Sequence, residues 1–332
     1  MPKGGDISEL KVNQKAGPEL QGSLKNVRQY FTASQGQWPN GHLFEFGFEQ
    51  AGRSQDGAST GLAMAMLLNA LFTGNELDAE FCVTGAISPE GQTTPVRGVL
   101  PKIEAARRAG MSGIVIPSGN ERALADLILL HGPRILYQLE IIGAATVTES
   151  TQFVSKIREA KINDGRKEFA IAASYLKNCD RNPETFKKEC LKAPGLRDRI
   201  NAATRAMPNH LSAKYFRLFL DDRCPRRLSL FTSEKLIYKV YHEIKRAVKA
   251  KSPDRLGPAL NRLEVSREIL NKDAIPFADA LKVYGQLWQA VSTAGDEEQK
   301  GSLEKIGPAA RDLGREREIL LNQPKVLRGI EE

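Results

Sequence analysis

The sequence is poor in the residue types that mark several large classes of protein. Four cysteines in 332 residues (Cys82, Cys179, Cys190 and Cys224) are too few for a disulfide scaffold, and no two of them form a CxxC pair. They read as reduced thiols. The four histidines (His42, His131, His210 and His242) are scattered, with no HExxH and no metal-ligand spacing. The sequence therefore offers neither a metal site nor a histidine-based triad, and no cofactor is expected. Aromatic residues are only 7% of the chain. The basic runs at 223–227 and 245–251 consequently lack the interleaved rings of a single-strand nucleic-acid platform; they read as solvated helix faces, and nucleic acid is disfavoured as a partner. The longest apolar run, residues 61–72, falls short of the roughly 20 residues that span a bilayer. The first ten residues have no apolar signal-peptide centre. No membrane partner is expected, and the cytoplasm is the expected compartment unless a signal sequence lies upstream. No GxxxxGK[ST] loop occurs in the chain, so no ATPase module of that type is visible.

What is present divides into two unlike halves. Residues 1–150 carry 12 Lys and Arg against 15 Asp and Glu, a net charge of −3, whereas residues 151–332 carry 36 against 25, a net charge of +11. The first half alternates short β-type runs with helical runs; the second shows mostly apolar spacing of period 3.6. The boundary falls near 150–165. In the first half the expected order is a strand at 42–48, a buried helix at 62–71, a strand at 80–87, a helix at 100–109, strands at 113–117 and 137–142, and a helix at 121–130 between them, which is the order of an α/β layer. A polar loop of small residues, 52–61, runs directly into the 62–71 helix. Its unpaired N–H groups and the helix dipole would suit an oxyanion at residues 59–61, although a plain Ser/Thr cap explains the same pattern. Lys102 stands among Val99, Leu100, Pro101 and Ile103 at the start of a helix. There a desolvated lysine could act as a neutral base, or its side chain could simply reach solvent.

Residues from about 40 to 145 resemble the proteolytic domain of the Lon protease family. The family's KDGPSAG loop is similar to Gln55-Asp56-Gly57-Ala58-Ser59-Thr60-Gly61. Its MTGEITLRG motif resembles the run from Val83 to Gly91 and continues without a gap to Lys102, which lies 43 residues after Ser59, the family's serine-to-lysine spacing. The match extends through the AARRAG run ending at Gly110, Ile114-Val115-Ile116-Pro117 and Gly119-Asn120. The resemblance implies an α+β N-terminal domain of the ribosomal protein S5 domain 2-like type, followed here by an all-α helical domain. The expected boundaries are 1–40 for an N-terminal segment in which the family's opening strands are hard to find, and which reads as a trimmed start; 41–155 for the Lon-like domain; and 156–332 for the helical array, with a TPR-like hairpin near 206–215.

The same resemblance implies a Ser/Lys dyad. Ser59 would be the nucleophile and Lys102 its base, with Thr84 orienting the lysine and Asp56 shaping the nucleophile loop; for these last two, β-propensity and an Asx turn are the plain alternatives. A histidine is not needed. Ala58 replaces the family's proline, Ala86 its glutamate, and Pro95-Val96-Arg97-Gly98-Val99-Leu100-Pro101 its basic-and-glycine stretch before the lysine. The implied partners are unfolded protein or peptide substrates, a homo-oligomer of hexameric ring type, and a separate ATPase. Two other classes stay open: a catalytically silent Lon-like assembly module, and, ranked last, a small-molecule kinase of the wider superfamily.

Overall fold

The computed structural model describes residues 9–39, 41–48, 56–293 and 295–330. It is mostly helical, with small parallel sheets. The first described elements are strand β1 (Glu9–Val12) and helix α1 (Pro18–Gln35). Pro18 sits at the first helical position, where its missing N–H costs nothing, and Gly36 ends the helix in the left-handed region at φ 78°. Strand β2 (Leu43–Phe46) pairs in parallel with β1. An opening strand is thus present at 9–12; four residues reading ELKV carry too little alternation to announce it.

Helix α2 (Gly61–Thr73) comes next, then β3 (Phe81–Val83), β4 (Ala86–Ile87), β5 (Thr93–Thr94), α3 (Val99–Arg108), β6 (Gly113–Pro117), α4 (Ala123–His131), α5 (Arg134–Gln138), β7 (Glu140–Ala144) and α6 (Val147–Val154). The sheet order is β3–β6–β7, all parallel. Every residue of β6 is buried, which is why GIVIP reads as a continuous apolar run instead of an alternation. Two strands differ from expectation. The segment 80–87 is two strands broken at Gly85, where a Cβ would lie 3.0 Å from Leu62 Cδ2 and 3.1 Å from Pro117 Cγ. The segment 137–142 enters the sheet only at Glu140, because Pro133 starts the short helix that holds Tyr137.

After β7 every described element is helical: α6, then α7 (Ala160–Cys179), α8 (Pro183–Lys188), α9 (Leu196–Ala206), α10 (Leu211–Leu220), α11 (Leu230–Lys249), α12 (Leu256–Arg267), α13 (Ile275–Thr293), α14 (Asp296–Leu321) and α15 (Pro324–Arg328). Helix α14 escapes the sequence reading because Gly301, Gly307, Pro308 and Gly314 interrupt its apolar pattern. Among the described residues no helix is long and apolar enough to cross a membrane.

The packing does not divide where the composition does. One compact unit runs to Leu124 and resumes from His131 to Cys224, while the other takes Ala125–Leu130 and the chain from Pro225. The reason is that α7 and α10 are stitched to β7. Ser212 Oγ accepts from Ile141 N at 2.9 Å and donates to Leu139 O at 3.1 Å, Gly143 N donates to Asn209 O at 2.9 Å, and Arg166 pairs with Glu140. One core of the first unit gathers Leu20, Val27, Phe31, Leu62, Met66 and Ile142. The second unit packs Ile237, Ile244, Leu263, Phe277 and Leu281. In it Asp126, wholly buried, accepts from both the N–H and the hydroxyl of Ser229, the residue that caps α11.

Cys179 and Cys190 form a disulfide with Cα atoms 5.7 Å apart, which corrects the reading of all four cysteines as reduced thiols. Helix α8 turns the chain back and brings together two residues that look unrelated along the sequence. Cys82 and Cys224 are thiols. Burial pushes both above their ordinary value, Cys224 to about 11.

Candidate active site

Helix α2 is apolar on nearly every face, and its inward residues Leu62, Met64, Ala65, Met66 and Leu68 are buried. The helix is entered through a single 3-10 turn, Ala58–Thr60, preceded by Gly57 at φ 123°, a conformation few side chains tolerate. Ser59 sits half-buried in the middle of that turn. At Gly61 a Cβ would come within 2.4 Å of Ser23 Oγ; the absence of a side chain is what lets the turn lie directly on α1.

The turn is bonded to the break between β3 and β4 as if it were a short strand. Gly85 N donates to Ser59 O and Leu62 N donates to Gly85 O, each at 2.9 Å. Thr84 is buried, its N–H continuing the ladder to Val115 O at 3.0 Å and its hydroxyl lying 3.5 Å from Ser59 O. The hydroxyl is therefore aimed at the main chain of Ser59. Asp56 holds the loop from its other end: Oδ1 accepts from Gly57 N at 2.9 Å and from Leu20 N at 3.1 Å. The second of these bonds supplies α1 with the N-terminal cap that Gly17 cannot give, and Gly17 must be glycine because a Cβ there would fall within 2.7 Å of the Asp56 side chain. Residues 52–55 of the polar loop lie outside the described residues.

Lys102 arrives on a separate element. It is half-buried in the first turn of α3, beside Val99 and Ile103, which are wholly buried. The approach to α3 is fixed by Asn120, also wholly buried, whose amide accepts from Val96 N and donates to Val96 O, both at 2.9 Å. Hydrogen bonds thus connect the loop of Asp56, the turn of Ser59 and the strand end at Thr84, while Asn120 sets the entry of the helix that bears Lys102. Sequence reasoning passed over Ser23 and Asn26, since a polar residue on an amphipathic helix carries no signal of what it faces. Asn120 was visible only as part of the family resemblance.

Residues 49–154 match the family of the Lon protease (S16) C-terminal proteolytic domain. Lon protease 2 of Syntrophobacter fumaroxidans is 42% identical over 73 residues, covering 22% of this chain and 9% of that protein. Lon protease of Vibrio parahaemolyticus is 40% identical over 95 residues, or 29% of this chain and 12% of its own length. Lon protease 1 of Herpetosiphon aurantiacus is 31% identical over 143 residues, or 38% of this chain and 17% of its own. The chain thus spans less than a fifth of the length of these relatives. The family match begins just before the loop of Asp56, ends with α6 and encloses Asp56, Ser59, Thr84 and Lys102: residues 49–154 hold a C-terminal proteolytic domain of the Lon protease family.

Proposed function

We propose that this chain is a serine endopeptidase of the Lon type, cleaving unfolded proteins or peptides through a dyad of Ser59 and Lys102, with no ATPase of its own. The observation that carries this reading is the placement of Ser59. It stands on the turn that opens a buried helix, inside the family-matched segment, with its carbonyl bonded to Gly85. A nucleophile at that place meets a peptide carbonyl with main-chain N–H groups and the positive end of the α2 dipole nearby, the setting that stabilises an oxyanion.

In the proposed reaction the Ser59 hydroxyl proton passes to the neutral Lys102 amine as the oxygen bonds to the substrate carbonyl carbon. The tetrahedral intermediate collapses with cleavage of the C–N bond, the leaving amine takes the proton from Lys102, and water then hydrolyses the acyl-enzyme by the same route. Thr84 and Asp56 act through the turn: each is bonded to the segment that carries Ser59. The helical segment after 155 serves substrate or partner binding in this reading, and the partners would be a further copy of the chain or a separate ATPase.

The test is incubation of wild type, Ser59→Ala and Lys102→Ala with casein, without nucleotide, followed by mass spectrometry of the products. Peptides are expected from wild type alone, with each variant slower by at least about a thousandfold. Full activity in either variant sinks the dyad, and no peptides from any of the three favours a silent module or a dependence on a partner.

A further inference from the structure

Helix α1 lies before the family-matched segment, and it meets both the turn that carries Ser59 and strand β4. Along successive turns, Leu20 N donates to Asp56 Oδ1 at 3.1 Å, the Ser23 hydroxyl to Ala58 O at 3.4 Å, and the Asn26 side-chain amide to Ile87 O at 2.9 Å. Tyr30 completes the row: its ring packs where a Cβ on Gly91 would sit, 2.4 Å away, at the turn between β4 and β5. Spacings of three and four residues place Ser23, Asn26 and Tyr30 on one helix face, while Leu20 joins through its main-chain N–H. Beneath them, Val27 and Phe31 are buried in the core and hold the helix in place.

We infer that α1 is a clamp that sets the register of the nucleophile turn against β4, with Ser23 and Asn26 as positioning residues for Ser59. Two main-chain bonds, of Gly85 with Ser59 and with Leu62, join the turn to the break before β4. A helix bonded to the turn at Ala58 and to β4 at Ile87 adds a second connection that fixes both at once. Ser23 is itself buried and seated against Gly61, so it reads the position of the turn sterically as well as by its hydrogen bond. The catalytic consequence rests on the protease reading above; the clamp itself does not.

The test uses the full chain, with Asn26→Asp, which keeps the shape but loses the N–H donor, and Ser23→Ala. Amide hydrogen exchange at Leu62 and Gly85 is measured beside casein hydrolysis. The expected result is exchange at those two amides at least about tenfold faster in both variants, with amides of the β6 centre unchanged. Hydrolysis is expected to fall at least about tenfold in kcat with KM within about twofold, since the substrate-binding surface is untouched. Unchanged exchange at Leu62 and Gly85 overturns the clamp whatever hydrolysis does. Equal loss in KM and kcat, or slower hydrolysis accompanied by faster exchange throughout the unit, also overturns it, as a merely structural effect. If wild type proves inactive by itself, exchange alone judges the clamp.

Discussion

Asn120 shows how much a single buried amide can do. It replaces a strand neighbour for Val96, meeting both the N–H and the carbonyl of that residue. Gly119 beside it must lack a side chain, because a Cβ would stand 2.5 Å from Pro95 Cγ. Asn120→Ala would leave two main-chain groups without partners next to a buried valine, a cost of about 2–4 kcal/mol. A urea denaturation midpoint lowered to match is the expected outcome, with the proposed hydrolysis reduced as well because α3 begins three residues after Val96. A change under about 0.5 kcal/mol would show that water replaces the amide. At this scale the sequence was informative where motif and spacing are joined, as in the run from Val83 to Gly91 that belongs to the family-matched segment. It was silent where the partner is a main-chain group, as for Ser23 and Asn26, because a backbone carbonyl leaves no mark in a sequence.

At the scale of elements, the joint of β7, α7 and α10 gives the fold a dependence on pH. Glu140, at the start of β7, is bonded by Arg166 through both carboxylate oxygens at 3.0 Å, and His210 Nε2 lies 3.2 Å from it. His210 is wholly buried, packed on Phe169 with ring centroids 4.3 Å apart, and its Nδ1 accepts from Ala213 N, which puts the ring proton on the side of Glu140. Arg166 in turn stacks 4.6 Å from the Phe81 ring centroid. Burial alone would push the Glu140 carboxyl up, but His210 and Arg166 outweigh it and hold the group below its ordinary value of 4.5. A carboxyl depressed in the folded state contributes stability that is fully present above that ordinary value and is lost as the pH falls through the folded value. Glu140→Gln is therefore expected to cost roughly 3 kcal/mol at neutral pH and to flatten the acid limb of the stability curve below about pH 4.5, measured by denaturant titration at several pH values. An acid limb as steep as that of wild type would assign it to other carboxylates. The period-3.6 pattern announced most of these helices. It did not reveal that α7 and α10 lie on the sheet, since the pairing of Arg166 with Glu140 spans two elements of different type.

For the whole molecule, two compact units with separate cores make a local change legible by where its effect appears. The Cys179–Cys190 bond closes a short loop in the first unit. Beside it Asp180 accepts from Arg134 at 2.6 Å and from the Tyr137 hydroxyl, and Tyr137 stacks on Phe186. Burial and the Asp180 carboxylate raise the Tyr137 phenol well above its ordinary value, so it stays a donor. Cys179→Ser with Cys190→Ser is expected to lower stability by roughly 3 kcal/mol and to speed amide exchange in α7, α8 and α9 while leaving α12 and α13 as they were. Equal acceleration in both units would show that they unfold as one.

The family of residues 49–154 was legible in the sequence. A serine on a small-residue loop, a lysine in an apolar helix start and the intervening motifs in register pointed to one family, because such motifs keep particular residues at particular spacings. The alternation of elements in the first half and the helical run of the second were legible too, through apolar periodicity that reports which face of each element is buried. Tertiary structure alone decided where the units divide, which cysteines meet, and how α1 is laid across Asp56, Ala58 and Ile87. Those are contacts between segments distant in sequence, made largely to main-chain groups that every residue carries alike, so local pattern holds no record of them.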